Sequence, residues 1–242
     1  MAIPTFMLPF VVPVPGIERR REGAVDIYRP GISGDGLLPV IVFVPGGPIP
    51  PEMQPQPRDW PVFAGYASLA ADNGAIGVIV DHGLDSPAAF PAAADVITAA
   101  VELARALPGA DPERVALWFF SGSGLLAADW LRDPPPWLRG IAASYPVMVP
   151  LPGMEVDGRL RPIDALEGGV GVPLLVTRVG REQPVIASAV DAFIAAAERQ
   201  ELNLEVIDVV EGHHSFDILD DSDASRAAIQ QAMDWVKAAL RS

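Results

Sequence analysis

The chain has 242 residues, half of them hydrophobic, and 17 Lys and Arg against 31 Asp and Glu give it a net charge of −14. An acidic field of this size repels phosphate backbones and argues against a nucleic-acid partner. The chain has no cysteine, which excludes disulfides, thiolate metal sites and a cysteine nucleophile. No apolar run has the length expected of a bilayer crossing. The N-terminal MAIPTFMLPFVVPVPGIERRR carries its positive residues after the apolar stretch and is broken by prolines, the reverse of a secretory signal. A cytoplasmic protein with no membrane partner is therefore expected.

In chain order, short β-rich runs alternate with helical patterns, as in a mostly parallel sheet with helices on both faces. Residues Leu38 to Val44 read as a buried strand, followed by a proline-rich loop from Pro45 to Pro61. Trp60 to Asn73 suits a helix stopped by Gly74, and Ala75 to Val80 is the next strand. Phe90 to Leu107 is an alanine-rich helix, Val115 to Phe120 a central strand, and Leu125 to Leu131 a short helix halted by three prolines. Ile141 to Tyr145, Pro173 to Thr177 and Leu204 to Val209 supply further strands, with a helix from Ala187 to Arg199. Asp223 to Leu240 closes the chain as an amphipathic helix. No repeat or linker divides the sequence, so residues 1–242 are expected to form one domain.

Chemistry concentrates at the ends of these strands. In VALWFFSGSGLL, from Val115 to Leu126, a buried strand runs directly into small residues and then a helix. That context suits a nucleophile elbow, a sharp turn that lifts a serine above the carboxyl edge of a sheet. Ser121 follows the strand without a spacer and has small Ser123 two residues on, but Phe119 stands where G-x-S-x-G has glycine. Ser123 is the competing nucleophile, with Leu125 filling its later position. Ser121 is preferred.

EGHHSFD, from Glu211 to Asp217, follows the last strand and holds two of the three histidines. One of His213 and His214 can face inward as the general base that takes the serine proton; chain neighbours diverge. An orienting carboxylate is expected between serine and histidine in chain order. Glu182, beyond the strand that ends near Thr177, fits best, and Asp191 is the lesser choice. The turn VPGGP, from Val44 to Pro48, could direct backbone N–H groups of Gly46 or Gly47 at an oxyanion, with Gly122 N–H as second donor. His82, after the AIGVIV strand, and Trp60 are candidate pocket residues.

With these segments in place, the chain resembles the α/β-hydrolase superfamily, and within it small dienelactone-hydrolase-like esterases. WFFSGSG, TRVGREQ and GHHSFD carry the resemblance, each at the end of its own strand. It implies that His214, two residues before Phe216, is the histidine of the triad and that Glu182 is the acid. It also implies an α/β-hydrolase fold. Little sequence separates the Tyr145 and Pro173 strands, so no large lid is expected. The sequence departs from the group in lacking its founding cysteine nucleophile, in having Pro45 where many relatives have histidine, and in bulky Phe119.

The expected function is a serine hydrolase that cleaves a small carboxylic ester through Ser121, His214 and Glu182. Gly47 and Gly122 would hold the oxyanion, Trp60 and His82 would contact substrate, and no metal or cofactor would be needed. Phe119 and Pro45 favour the alternative, a non-catalytic ligand-binding protein of the same fold. An amidase or lyase using the same triad is the other enzyme reading.

Overall fold

The computed structural model describes residues 3–31, 36–150, 154, 157–168 and 171–241. Eight strands form one sheet: β1 (Arg19–Glu22), β2 (Val25–Tyr28), β3 (Leu38–Val44), β4 (Ile76–Val80), β5 (Ala110–Phe120), β6 (Leu138–Ser144), β7 (Leu174–Arg181) and β8 (Leu204–His213). Their order is β1-β2-β4-β3-β5-β6-β7-β8. Strands β3 to β8 run parallel, and the β1–β2 hairpin adds antiparallel to the β4 edge. Sequence reading missed this hairpin because Arg19–Glu22 is RRRE, with no apolar alternation to register as a strand.

Helices α1 (Pro61–Asp72), α2 (Phe90–Arg105), α3 (Ala128–Arg132), α4 (Pro184–Arg199), α5 (Phe216–Leu219) and α6 (Asp223–Ala239) cover the sheet. The pleat divides the core. Val40, Val42 and Val44 of β3 face α2, α3 and α4, whereas Ile41 and Phe43 face α1 and α6. A strand buried on both faces has no polar positions to alternate with, which is why LPVIVFV is apolar throughout. The α2 helix with its preceding turn is long and apolar enough for a membrane span, yet Phe90, Ile97, Val101 and Ala104 are buried in this core.

The topology fixes where a site can form. The chain leaves β3 towards β4 through α1 but leaves β5 towards β6 through α3, on the opposite side and face. The segments following β3 and β5 therefore diverge, although Val44 and Phe119 are paired. A crevice at the carboxyl ends of strands opens at such a switch point.

The short helix expected over Leu125 to Leu131 is split. Residues Ser121–Ala127 form a tight 3₁₀ segment, and α-helix begins only at Ala128. Between β6 and β7 the described residues contain two single-turn 3₁₀ segments, Gly158–Leu160 and Asp164–Leu166, whose Leu160, Ala165 and Leu166 are buried in the α2–α4 core. No lid is built there among the described residues.

Candidate active site

Ser121 begins the turn that follows β5 and has φ of +51°. Left-handed backbone is strained for a residue with a side chain, and its cost is tolerated where surrounding structure enforces it. Ser121, Tyr145 and Ser215 are three of the four non-glycine residues with positive φ among those described, and all three line one cavity. Close packing enforces the turn. A Cβ on Gly122 would lie 1.7 Å from the carbonyl oxygen of Gly47, and one on Gly124 would lie 2.6 Å from that of Val147. The Val147 N–H also donates to the Ser121 carbonyl at 2.8 Å.

The two serines differ sharply in surroundings. Ser123 is fully buried; its hydroxyl accepts from the Phe120 N–H at 2.9 Å and faces the carbonyl oxygens of Val44 and Phe120 at 2.9 and 2.8 Å. It ties the turn to β3. Ser121 Oγ instead points into the cavity and lies 2.6 Å from His214 Nε2. With Nε2 as acceptor, His214 Nδ1–H donates to Glu182 Oε2 at 2.5 Å. The Glu182 side chain is 3% exposed, and its other oxygen accepts from the Gln183 N–H at 2.7 Å. Serine, imidazole and carboxylate thus form one hydrogen-bonded line across the ends of β5, β8 and β7.

The neighbouring histidine turns away. His213 Nδ1 and backbone N–H both meet Asp220, at 2.8 and 2.7 Å, which braces the loop from outside. Asp191 lies on α4 and pairs with Arg178 at 2.8 Å. Gly46 and Gly47 line the cavity beside Ser121, and Gly122 sits behind it.

Trp60 lines the cavity, with its indole N–H bonded to the Pro55 carbonyl at 2.8 Å and its ring stacked 4.9 Å from Phe6. The expectation for His82 is corrected. It is buried outside the cavity, where Nε2–H donates to the Pro45 carbonyl at 2.8 Å and Nδ1 accepts from the Leu84 N–H at 3.1 Å. Both ring nitrogens are committed to backbone, so the ring braces the Gly46–Gly47 turn from behind. Burial lowers its pKa from the ordinary histidine value and keeps it neutral.

The cavity is about 360 Å³, a size suited to a small ligand. Ile49, Met53, Val62, Phe63 and Ile218 make most of its wall apolar. Tyr145 and Asp217 are among its residues that the sequence pattern did not single out. Tyr145 stacks obliquely on the His214 ring, with centroids 4.9 Å apart. Asp217 is wholly buried, and its Oδ2 accepts from the hydroxyls of Tyr145 and Tyr66 at 2.7 and 3.1 Å. A larger hollow, about 640 Å³, lies away from this chemistry along β1 and β2, lined by Arg19, Arg20 and Arg29. Arg19 and Arg20 are paired with carboxylates there and Arg29 is bonded to the Pro108 carbonyl.

No protein-family profile matches the chain, and no curated protein matches it in sequence. Solved structures do. A carboxyl esterase 2 from the fungus Tuber melanosporum aligns with a TM-score of 0.72 at 17% identity, over 98% of this chain and 92% of its own. A thermostable esterase from Pseudomonas putida aligns with a TM-score of 0.70 at 19% identity, over 99% and 85%. A Klebsiella pneumoniae protein provisionally described as a dienelactone hydrolase aligns with a TM-score of 0.68 at 16% identity, over 88% and 92%. At these identities the similarity establishes the architecture: the chain has the α/β-hydrolase fold.

Proposed function

We propose that the protein is a serine hydrolase acting on small carboxylic esters, with Ser121 as nucleophile. The observation that carries this reading is the 2.6 Å contact between Ser121 Oγ and His214 Nε2 on a strained turn facing a cavity. A serine needed only for structure would satisfy its hydroxyl on backbone, as Ser123 does. Ser121 attacks the ester carbonyl as its proton passes to His214 Nε2. The imidazolium is held by Glu182, and the proton then goes to the leaving alcohol. Water repeats the sequence to release the acid. The developing oxyanion would lie between the N–H groups of Gly47 and Gly122. Each proton lost by a nucleophile is returned to a leaving group, so the cycle needs no cofactor.

The esterase names among the structural neighbours support this chemistry over other uses of the triad. The features that favoured a non-catalytic binding protein lie away from the cavity. Phe119 is fully buried on the α2 side of the sheet, and Pro45 contributes its carbonyl to His82. Hydrolysis of short p-nitrophenyl esters by wild type and Ser121→Ala tests the proposal. We expect turnover in wild type and a loss of about 10⁴-fold or more in a folded variant. Equal rates in the two would remove Ser121 from the mechanism.

A further inference from the structure

The charge lining this cavity is one-sided. Among the described residues no lysine or arginine forms part of its wall, and Asp217 is its one carboxylate. Two of the elements packed around that carboxylate give it phenol donors. Tyr66 from α1 and Tyr145 after β6 both donate to Oδ2, His214 precedes it on the same loop, and Val11 of the N-terminal segment donates to its backbone carbonyl. Glu182 lies beyond His214, bonded to its far nitrogen. None of these groups is a fixed cation.

Two phenol donors on one oxygen suit an ionised carboxylate, because a carboxyl proton would need an acceptor. Oδ1, the other oxygen, has no hydrogen-bond partner from another residue among those described. Burial opposes the charge and raises the pKa to about 6, against two tyrosine hydrogen bonds that lower it. At neutral pH the group is therefore largely ionised behind an apolar wall. Its side chain is fully covered, so it acts on a ligand by its field and makes no direct contact. Fields carry further through a low-dielectric protein interior than through water.

We propose that Asp217 makes this a charge-selective acyl site, which accepts neutral or cationic esters with an apolar body and discriminates against esters bearing a carboxylate. A substrate carboxylate would lose its hydration there and meet no cation, only a second negative charge. A quaternary ammonium would meet that negative charge and the aromatic faces of Trp60 and Phe63. The inference rests on the esterase reading above and names its substrate class.

The test is kcat/KM at pH 7.5 for three p-nitrophenyl esters of matched chain: hexanoate, the adipate monoester and 6-(trimethylammonio)hexanoate. A unit charge about 10 Å away at an effective dielectric near 20 is worth on the order of tenfold. Wild type should thus prefer the hexanoate and the cationic ester over adipate by about tenfold or more. In Asp217→Asn, whose side chain still accepts from both tyrosines, the hexanoate-to-adipate ratio should fall several-fold, whatever the absolute rate. If that variant does not fold, the same ratio followed in wild type decides, read above about pH 5.5, where the adipate carboxyl itself stays ionised. The ratio should shrink as pH falls through about 6. Equal rates on hexanoate and adipate, or a ratio unmoved by both the variant and pH, would overturn the inference while leaving the esterase reading intact. Failure to hydrolyse any of the three would overturn that reading, and this inference with it.

Discussion

Within three residues, two serines on one turn divide two duties. The Ser123 hydroxyl is spent on backbone, accepting from Phe120 N–H and donating towards the Val44 and Phe120 carbonyls, whereas Ser121 Oγ meets an imidazole. Ser123→Ala strips a buried N–H of its acceptor and leaves the Val44 and Phe120 carbonyls without the one hydroxyl proton they share, at about 1–3 kcal/mol for the groups left unpaired. Urea unfolding should show a loss of that size with some hydrolysis retained; full stability together with abolished activity would exchange the roles of the two serines. Composition could not separate them, because both are small residues in a glycine-rich turn. Placement relative to the strand end favoured Ser121, and the observed φ of +51° supplies the physical reason for that placement. Glu182 and His214 were legible for the same reason, each following a β-rich run. Asp217 lay in the same motif as His214 yet gave no signal, because its partners Tyr66 and Tyr145 are 151 and 72 residues away in sequence.

Elements explain both what sequence pattern reveals and what it hides. Strands β3 and β4 were legible because burial on both faces leaves continuous apolar runs, β3 spanning the residues expected of it, whereas the edge strand β8 alternates buried and exposed residues. The β1–β2 hairpin was hidden because its charged residues serve an ion network, in which Arg21 and Arg19 reach Asp26 and Asp59. The elbow helix was misjudged because the close approach of Gly122 and Gly124 to neighbouring carbonyls favours a tighter 3₁₀ start. His82 belongs to this scale too. Position at a strand end suggested a pocket residue, but its ring is spent joining the segment after β4 to the one after β3. His82→Ala should therefore loosen the Gly46–Gly47 turn. We expect kcat to fall by about ten- to a hundredfold with KM less affected, since misplacement acts on the transition state. An unchanged kcat in the folded variant would show that the turn holds itself.

Across the whole molecule, the site carries a thermodynamic cost. Asp217 has a folded pKa raised from 3.8 to about 6, so the folded protein binds its proton more tightly than the unfolded chain. Below 3.8 both states are protonated and the penalty is absent; it develops as pH rises between 3.8 and 6 and is complete above that window. A displacement of this size corresponds to roughly 2–3 kcal/mol. His82 acts in the opposite sense: its lowered pKa makes protonation of the unfolded chain costly to stability as pH falls below 6.5. Comparison with Asp217→Asn removes the His82 contribution, because both proteins keep it. The stability of the variant relative to wild type should rise between pH 4 and 7, as read by urea midpoints; a pH-independent difference would mean that Asp217 is not titrating in this window. Cost at a buried carboxylate three residues from His214 is what a site shaped for the proposed chemistry predicts. The proposed chemistry requires Ser121 to be an activated nucleophile. Treatment with a fluorophosphonate, followed by intact mass and peptide mapping, measures it most directly. One covalent adduct is expected, mapped to Ser121 and absent from Ser121→Ala and His214→Ala; an unlabelled folded wild type, or an adduct mapped to Ser123, would show that Ser121 is not the nucleophile.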